Sequence, residues 1–199
     1  MMDDVTNPQS GATRPVRADA QRNLDALLEA AKAVFASSGV DAPVREIAER
    51  AGVGVATVYR HFPTRAQLIA AVFRREIDAC VDLATSLAAE HGPADALALW
   101  MQRFALFMST KRGLSAALHS GDPAYEGLQQ HFTGRLMPAL DMLLGRAVAA
   151  GEICGGTEAY ELLDAVARLG VRGADDKQGV RMVALLVDGL RYGAMATPR

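Results

Sequence analysis

Residues 44 to 62, VREIAERAGVGVATVYRHF, constrain the fold more than any other stretch of the chain. Ile47, Ala48 and Ala51 recur at helical spacing and therefore share one face. Glu46 and Arg50 stand four apart on the wetted side, where they can support each other weakly. Gly52 falls where a left-handed C-cap is wanted, and Gly54 can begin the next helix without a side-chain clash. In that second helix Val55 and Val58 are expected to face inward, with Thr57, Tyr59, Arg60 and His61 able to reach outward. Two short helices crossing at a tight turn cannot bury their apolar faces alone. A third must cover them, and the preceding segment supplies it.

The second helix offers a hydroxyl, a phenol, a guanidinium and an imidazole between Thr57 and His61. A DNA backbone and the edges of bases in the major groove require such donors. In a helix-turn-helix the second helix enters that groove while the first crosses the backbone. An ordinary helical hairpin with a polar surface has the same spacing, so spacing alone leaves both readings open.

The stretches LLEAAKAVFASSGV (Leu27 to Val40), VREIAERAGV (Val44 to Val53), TVYRHF (Thr57 to Phe62) and PTRAQLIAAV (Pro63 to Val72) carry a resemblance. Through them residues 21 to 75 resemble the DNA-binding domain of the TetR family of bacterial transcriptional regulators. RGLSAALHSGDP (Arg112 to Pro123) is similar to the SbtR-like subgroup. The resemblance implies an all-α protein with a three-helix helix-turn-helix head and a helical-bundle body. It implies a disordered arm over 1–20, the DNA-binding domain over 21–66, and a ligand-binding and dimerisation domain over 67–199. The partners so implied are a double-stranded DNA operator, a small-molecule effector of unknown identity and a second copy through the last two helices. The expected function is that of a ligand-responsive repressor that binds a palindromic operator as a dimer. Candidate DNA contacts are Arg17, Arg22, Arg45, Val55, Ala56, Thr57, Tyr59, Arg60, His61 and Arg65.

Two positions depart from the family pattern. The family usually places a threonine before the second helix as a cap and phosphate contact. Here the segment is Asp41-Ala42-Pro43, where proline suits a first helical turn and Asp41 is the candidate cap. Gly54 stands where serine is common. Two phosphate-binding hydroxyls are thereby lost, which keeps an alternative alive: a helical small-molecule-binding protein whose DNA binding is weakened or absent.

The net charge of −2 would argue against a nucleic-acid partner if it were spread evenly. Positions 14 to 75 hold ten basic residues against six acidic, whereas positions 76 to 199 hold eleven basic against fifteen acidic. A basic head on an acidic body suits a protein that docks one end on DNA. No apolar run of about 18 residues exists to cross a membrane. The N-terminus, MMDDVTNPQSGATRP, has no apolar stretch of signal-peptide type. Cys80 and Cys154 lack metal-type spacing, and a reduced, cytoplasmic protein is the expectation.

Residues 1 to 20 carry too little apolar surface to fold, although Arg14, Arg17 and Arg22 could follow a phosphate backbone or the minor groove. A first helix is expected from about Ala20 to Ser38, with Leu24, Leu27, Leu28, Ala31, Val34 and Phe35 as its core stripe. Thr64 and Gln67 form a capping-box pattern that opens a long helix to about Ala89. His91-Gly92-Pro93 breaks the pattern before a helix from Ala94 to about Lys111. A helix from Tyr125 to Ala150 contains Pro138, which should kink it. Two more follow, near 158–171 and 177–194. The last is apolar nearly all round, so that one side faces the core and another a partner chain.

Candidate effector contacts are Trp100, Arg103, Phe104, Phe107, Met108, His119, Tyr125, Phe132 and Met137. Aromatic rings, adaptable methionines and a few polar tips make a mostly apolar pocket. Arg103, if turned inward, would favour a carboxylate or phenolate. For any single aromatic, packing of a plain core is the better reading, and only the group as a whole points to a pocket. No cofactor is implied. Neither a Glu-x-x-His pair nor histidines four apart are present, no motif with a catalytic mechanism is found, and an enzyme is not expected. Gly52-Val53-Gly54 lacks the third glycine and the preceding strand of a dinucleotide-binding loop.

Overall fold

The computed structural model describes residues 13–109, 121–172 and 176–196, with side chains over 21–108, 121–169 and 177–193. Every long element among the described residues is an α-helix: α1 (Thr13–Ser38), α2 (Val44–Ala51), α3 (Val55–His61), α4 (Arg65–Glu90), α5 (Pro93–Ser109), α6 (Leu128–Ala149), α7 (Ala159–Arg172) and α8 (Asp176–Ala196). A 3-10 turn at Pro123–Tyr125 precedes α6. The all-α class expected from the sequence is what the chain adopts.

In the head, Leu27, Ala31, Val34 and Phe35 of α1 are buried against Ile47 and Ala48 of α2 and Val58 of α3. Gly39 (φ 83), after α1, and Gly52 (φ 68), after α2, are both left-handed, the second as the sequence suggested. The Gly52 N–H donates to the carbonyls of Ala48 and Glu49, which closes α2 and turns the chain.

Three local expectations are corrected. Helix α1 begins at Thr13 and not near Ala20, so the last part of the segment taken as an arm is helical. Asp41 does not cap α2: Pro43 is the N-cap residue, with no side-chain hydrogen bond. Val55 is not turned inward but is 38% exposed, because a seven-residue helix touching its neighbours on one side buries only Val58.

Helix α4 joins head to body. Its Thr64–Gln67 capping box forms in full, with the Gln67 N–H donating to Thr64 Oγ1 at 3.2 Å and the Thr64 N–H to Gln67 Oε1 at 3.1 Å. Its buried stripe runs through Leu68, Val72, Phe73, Ile77, Cys80 and Ala84.

The body is built round α5, which packs on α4, α6, α7 and α8. A helix with four neighbours must be apolar nearly all round, and Ala96, Leu97, Trp100, Met101, Phe104, Ala105 and Phe107 are accordingly buried. Helix α6 starts after Gly127 (φ 71) and continues through Pro138, whose ring lies on the exposed side. The missing proline N–H costs the Gly134 carbonyl its helical donor without ending the helix.

Candidate nucleic-acid interface

Helix α3 sits on its neighbours through one residue. Val58 is 1% exposed, whereas Val55, Ala56, Tyr59, Arg60 and His61 are exposed and Thr57 is half-buried. Tyr59 is 48% exposed, so its phenol lies in solvent with its ring only partly covered. Arg60 Nη2 donates to Thr57 Oγ1 at 3.3 Å, a weak contact that lays the guanidinium along the outer face. Six of the ten expected DNA contacts thus lie on one short helix.

The other four come from around it. Arg45 on α2 pairs with Glu49 at 2.9 Å, in place of the Glu46–Arg50 pair suggested by the sequence. Glu46 instead accepts from Ser38 Oγ at 3.2 Å. Both members of the Arg45–Glu49 pair are largely in water, so exchanging Glu49 for a phosphate costs little. Arg65 is half-buried, and its Nη1 donates to the Val40 carbonyl at 2.6 Å. It therefore ties the start of α4 to the turn before α2, a positioning task that sequence alone did not suggest. Arg22 is exposed on α1. Arg17 belongs to the same helix, but its side chain is outside the described residues.

The expected effector residues divide into two sets. Trp100, Phe104 and Phe107 are no more than 1% exposed, and Met108 is buried as well. The indole N–H of Trp100 donates to the Cys80 carbonyl at 2.7 Å, and its ring stacks on Phe104 at 5.5 Å with 6° between the planes. Phe132, Met137 and Tyr125 are half-buried, with Phe132 placing its ring 6.1 Å from that of Phe104. His119 lies outside the described residues.

Arg103 does not stand free among the aromatics. Its Nη2 donates to Glu76 Oε2 at 2.9 Å, while Lys32 Nζ reaches Glu76 Oε1 at 2.7 Å. Glu76 is 4% exposed, and sequence reasoning missed it. The signal was there: it interrupts the apolar stripe of Val72, Phe73, Ile77 and Cys80 on the buried side of α4.

The turn ahead of α6 packs on α4. The phenol pKa of Tyr125 is raised, first by burial and then by Asp122, with Asp41 adding to the rise and Arg65 opposing it. Two residues of the head are thus within electrostatic reach of a residue of the body. Arg74 Nη2 donates to the Glu126 carbonyl at 3.2 Å, and Asp78 accepts from Arg135 Nε at 3.2 Å with His131 Nε2 at 3.0 Å. These contacts hold the first turns of α6 on α4.

A helix-turn-helix head with an outward-facing second helix, carried by a long helix on an α-helical body, defines a DNA-binding transcriptional regulator. Residues 27–72 match the model of the bacterial regulatory proteins of the tetR family, and residues 92–192 that of the SbtR-like transcriptional regulator C-terminal domain. The chain belongs to the TetR family, and its family and fold are those of regulators, not enzymes. The TetR transcriptional regulator SCO0520 of Streptomyces coelicolor is 37% identical, with a TM-score of 0.70 over 84% of this chain and 97% of that one. The TetR transcription regulatory protein of Mycobacterium vanbaalenii is 35% identical, with a TM-score of 0.69 over 89% of this chain and 99% of that one. FadR of Bacillus subtilis, solved in complex with stearoyl-CoA, shares the fold at 18% identity, with a TM-score of 0.58 over 85% of this chain and 98% of that one. No curated protein matches the chain. No helix among the described residues is long and apolar enough to cross a membrane.

Proposed function

We propose that the protein is a cytoplasmic, ligand-responsive repressor that binds a palindromic operator as a homodimer. One observation carries the DNA side of this reading. Helix α3 buries Val58 alone and turns Tyr59, Arg60 and His61 outward, which leaves phenol, guanidinium and imidazole ready for phosphates and base edges. Exposed Tyr160 on α7 with Leu185 and Tyr192 on α8 supports pairing of two chains through the last two helices. Half-buried Phe132, its ring 6.1 Å from that of the deep Phe104, supports an effector site in the body, as do Met137 and Tyr125, which are half-buried against the same core. The shared fold with a FadR bound to stearoyl-CoA lends that site further support.

A second reading, a helical binding protein that no longer reads DNA, draws on the two bare caps. Neither Pro43 nor Gly54 supplies a side-chain oxygen at the start of its helix. A mobility-shift assay against DNA flanking the protein's own gene, followed by footprinting, separates the two. The repressor reading expects one protected pseudo-palindrome with half-sites roughly 34–36 Å apart, or a multiple of that spacing. Equal, weak binding to every duplex favours the second reading.

A further inference from the structure

Within residues 21–66 the large apolar side chains that stand exposed are Val55 and Tyr59, four apart on one face of α3. Nothing in the head asks for a valine at position 55. Packing does not, since its side chain lies outside the core cluster. Local propensity does not either: valine is a mediocre helix former, and the first turn of a helix favours an acidic residue. Helix α3 has no acidic residue there. Gly54 and Ala56 on either side add no polar atom, so the leading edge of α3 carries no side-chain donor or acceptor. The hydrogen-bonding groups begin only at Thr57, which is half-buried and engaged with Arg60.

In a helix-turn-helix the first residues of the second helix meet the base edges. A valine and an alanine placed there cannot read a guanine or adenine by hydrogen bonds. The apolar group that the major groove does offer is the C5-methyl of thymine. We propose that Val55, with Ala56, reads the operator through thymine methyl groups, so that each half-site is marked by one or two thymines at the positions under the start of α3. This rests on the DNA-binding reading above and concerns what the side chains of α3 select, not the end of the helix as such. Burying one methyl against another is worth about fourfold in affinity. Recognition at these positions therefore discriminates thymine from cytosine or from uracil by a small factor per base, while the phosphate contacts add affinity that is blind to sequence.

The test uses the full-length protein and no effector. Operators are selected from a random-sequence duplex library, and each thymine of the best sequence is then replaced singly by deoxyuridine. That change removes the methyl and leaves every hydrogen-bonding edge as it was. At one or two positions per half-site affinity should fall about fourfold. Val55→Ala, at an exposed site and checked by thermal melting, removes most of the apolar partner and should shrink the deoxyuridine loss at the position under Val55 while leaving the other positions as they were. If the library yields an operator that is indifferent to deoxyuridine at every position, the methyl reading is overturned and the DNA-binding reading stands. If no sequence is enriched, both fall together.

Discussion

Arg103 donates a hydrogen bond to the carboxylate of Glu76 at 2.9 Å, and that carboxylate spends its other oxygen on Lys32 at 2.7 Å. Lys32 belongs to α1 in the head, Glu76 to the connecting helix α4, and Arg103 to the central helix of the body. One buried carboxylate therefore ties both halves of the molecule together. Two cations face this almost fully covered carboxylate, one on each oxygen.

Glu76→Ala leaves both cations without their anion. Removing one member of a buried ion pair costs about 3–5 kcal/mol. Lys32 and Arg103 each keep 30% of their side chain in solvent, which argues for a smaller loss of roughly 2–3 kcal/mol. Urea denaturation of the single variant measures it. Replacing all three residues by apolar ones of similar volume should recover most of the loss. A Glu76→Ala protein within about 0.5 kcal/mol of the parent would show that the triad holds nothing together.

Tyr59→Phe keeps the ring and removes the hydroxyl from a residue that is 48% exposed. Folding stability should hardly move, because the hydroxyl has water for a partner. Operator affinity should fall by about 1 kcal/mol, the worth of one hydrogen bond, and by similar amounts on specific and non-specific DNA. Fluorescence anisotropy at several salt concentrations is the measurement. No loss at any of them would remove Tyr59 from the phosphate contacts.

The parts of the fold that sequence made legible are the local ones. The stripe Leu27, Ala31, Val34, Phe35 was readable because its members recur at three and four, and all are buried. The Thr64–Gln67 box and the left-handed Gly52 were readable because cap chemistry is confined to a few adjacent residues. What periodicity cannot supply is the partner of a polar group across helices. Arg103 looked like the polar tip of an effector site because it lies in an aromatic run, yet its partner Glu76 is 27 residues away. Arg65 was readable as a cation near DNA, but not as the donor to Val40, 25 residues back. The exposed Val55 defeated the same rule for another reason. Residues three apart lie roughly 60° round the helix from each other, and α3 buries a face so narrow that Val58 falls within it and Val55 outside.

The dimer can be tested at a better residue than the apolar run of α8 first suggested. Leu190 is 9% exposed and belongs to the subunit's own core, so Leu190→Glu would destabilise its own subunit. Leu185 is 57% exposed in the single chain. If the last two helices form the interface, Leu185→Glu should leave a folded monomer with an unchanged circular dichroism spectrum and a lower sedimentation coefficient. Operator affinity should drop steeply, since one head meets only one half-site. A parent protein that sediments as a monomer at micromolar concentration refutes the dimer.

The proposed effector site can be tested at Phe132. Trp100 is the one tryptophan of the chain, stacked on Phe104, whose ring in turn meets that of Phe132 at 6.1 Å. The row runs from a fully covered indole to a half-buried phenyl, so an effector held as proposed against Phe132 would act on Trp100 through Phe104. Phe104→Ala is a poor probe, because emptying a fully buried phenyl site costs about 3–5 kcal/mol and would blunt every response through instability. Phe132→Ala removes a half-buried ring and should cost less than half of that. Titration of the parent with apolar and amphipathic small molecules should shift Trp100 emission for those that release the operator. The same molecules should bind Phe132→Ala about tenfold more weakly, since a buried phenyl contact is worth about 1.5 kcal/mol or more. Linkage then requires that each effector weaken DNA binding by the factor by which DNA weakens its own. A molecule that releases the operator, leaves Trp100 emission unchanged and binds Phe132→Ala as tightly as the parent must sit elsewhere in the protein.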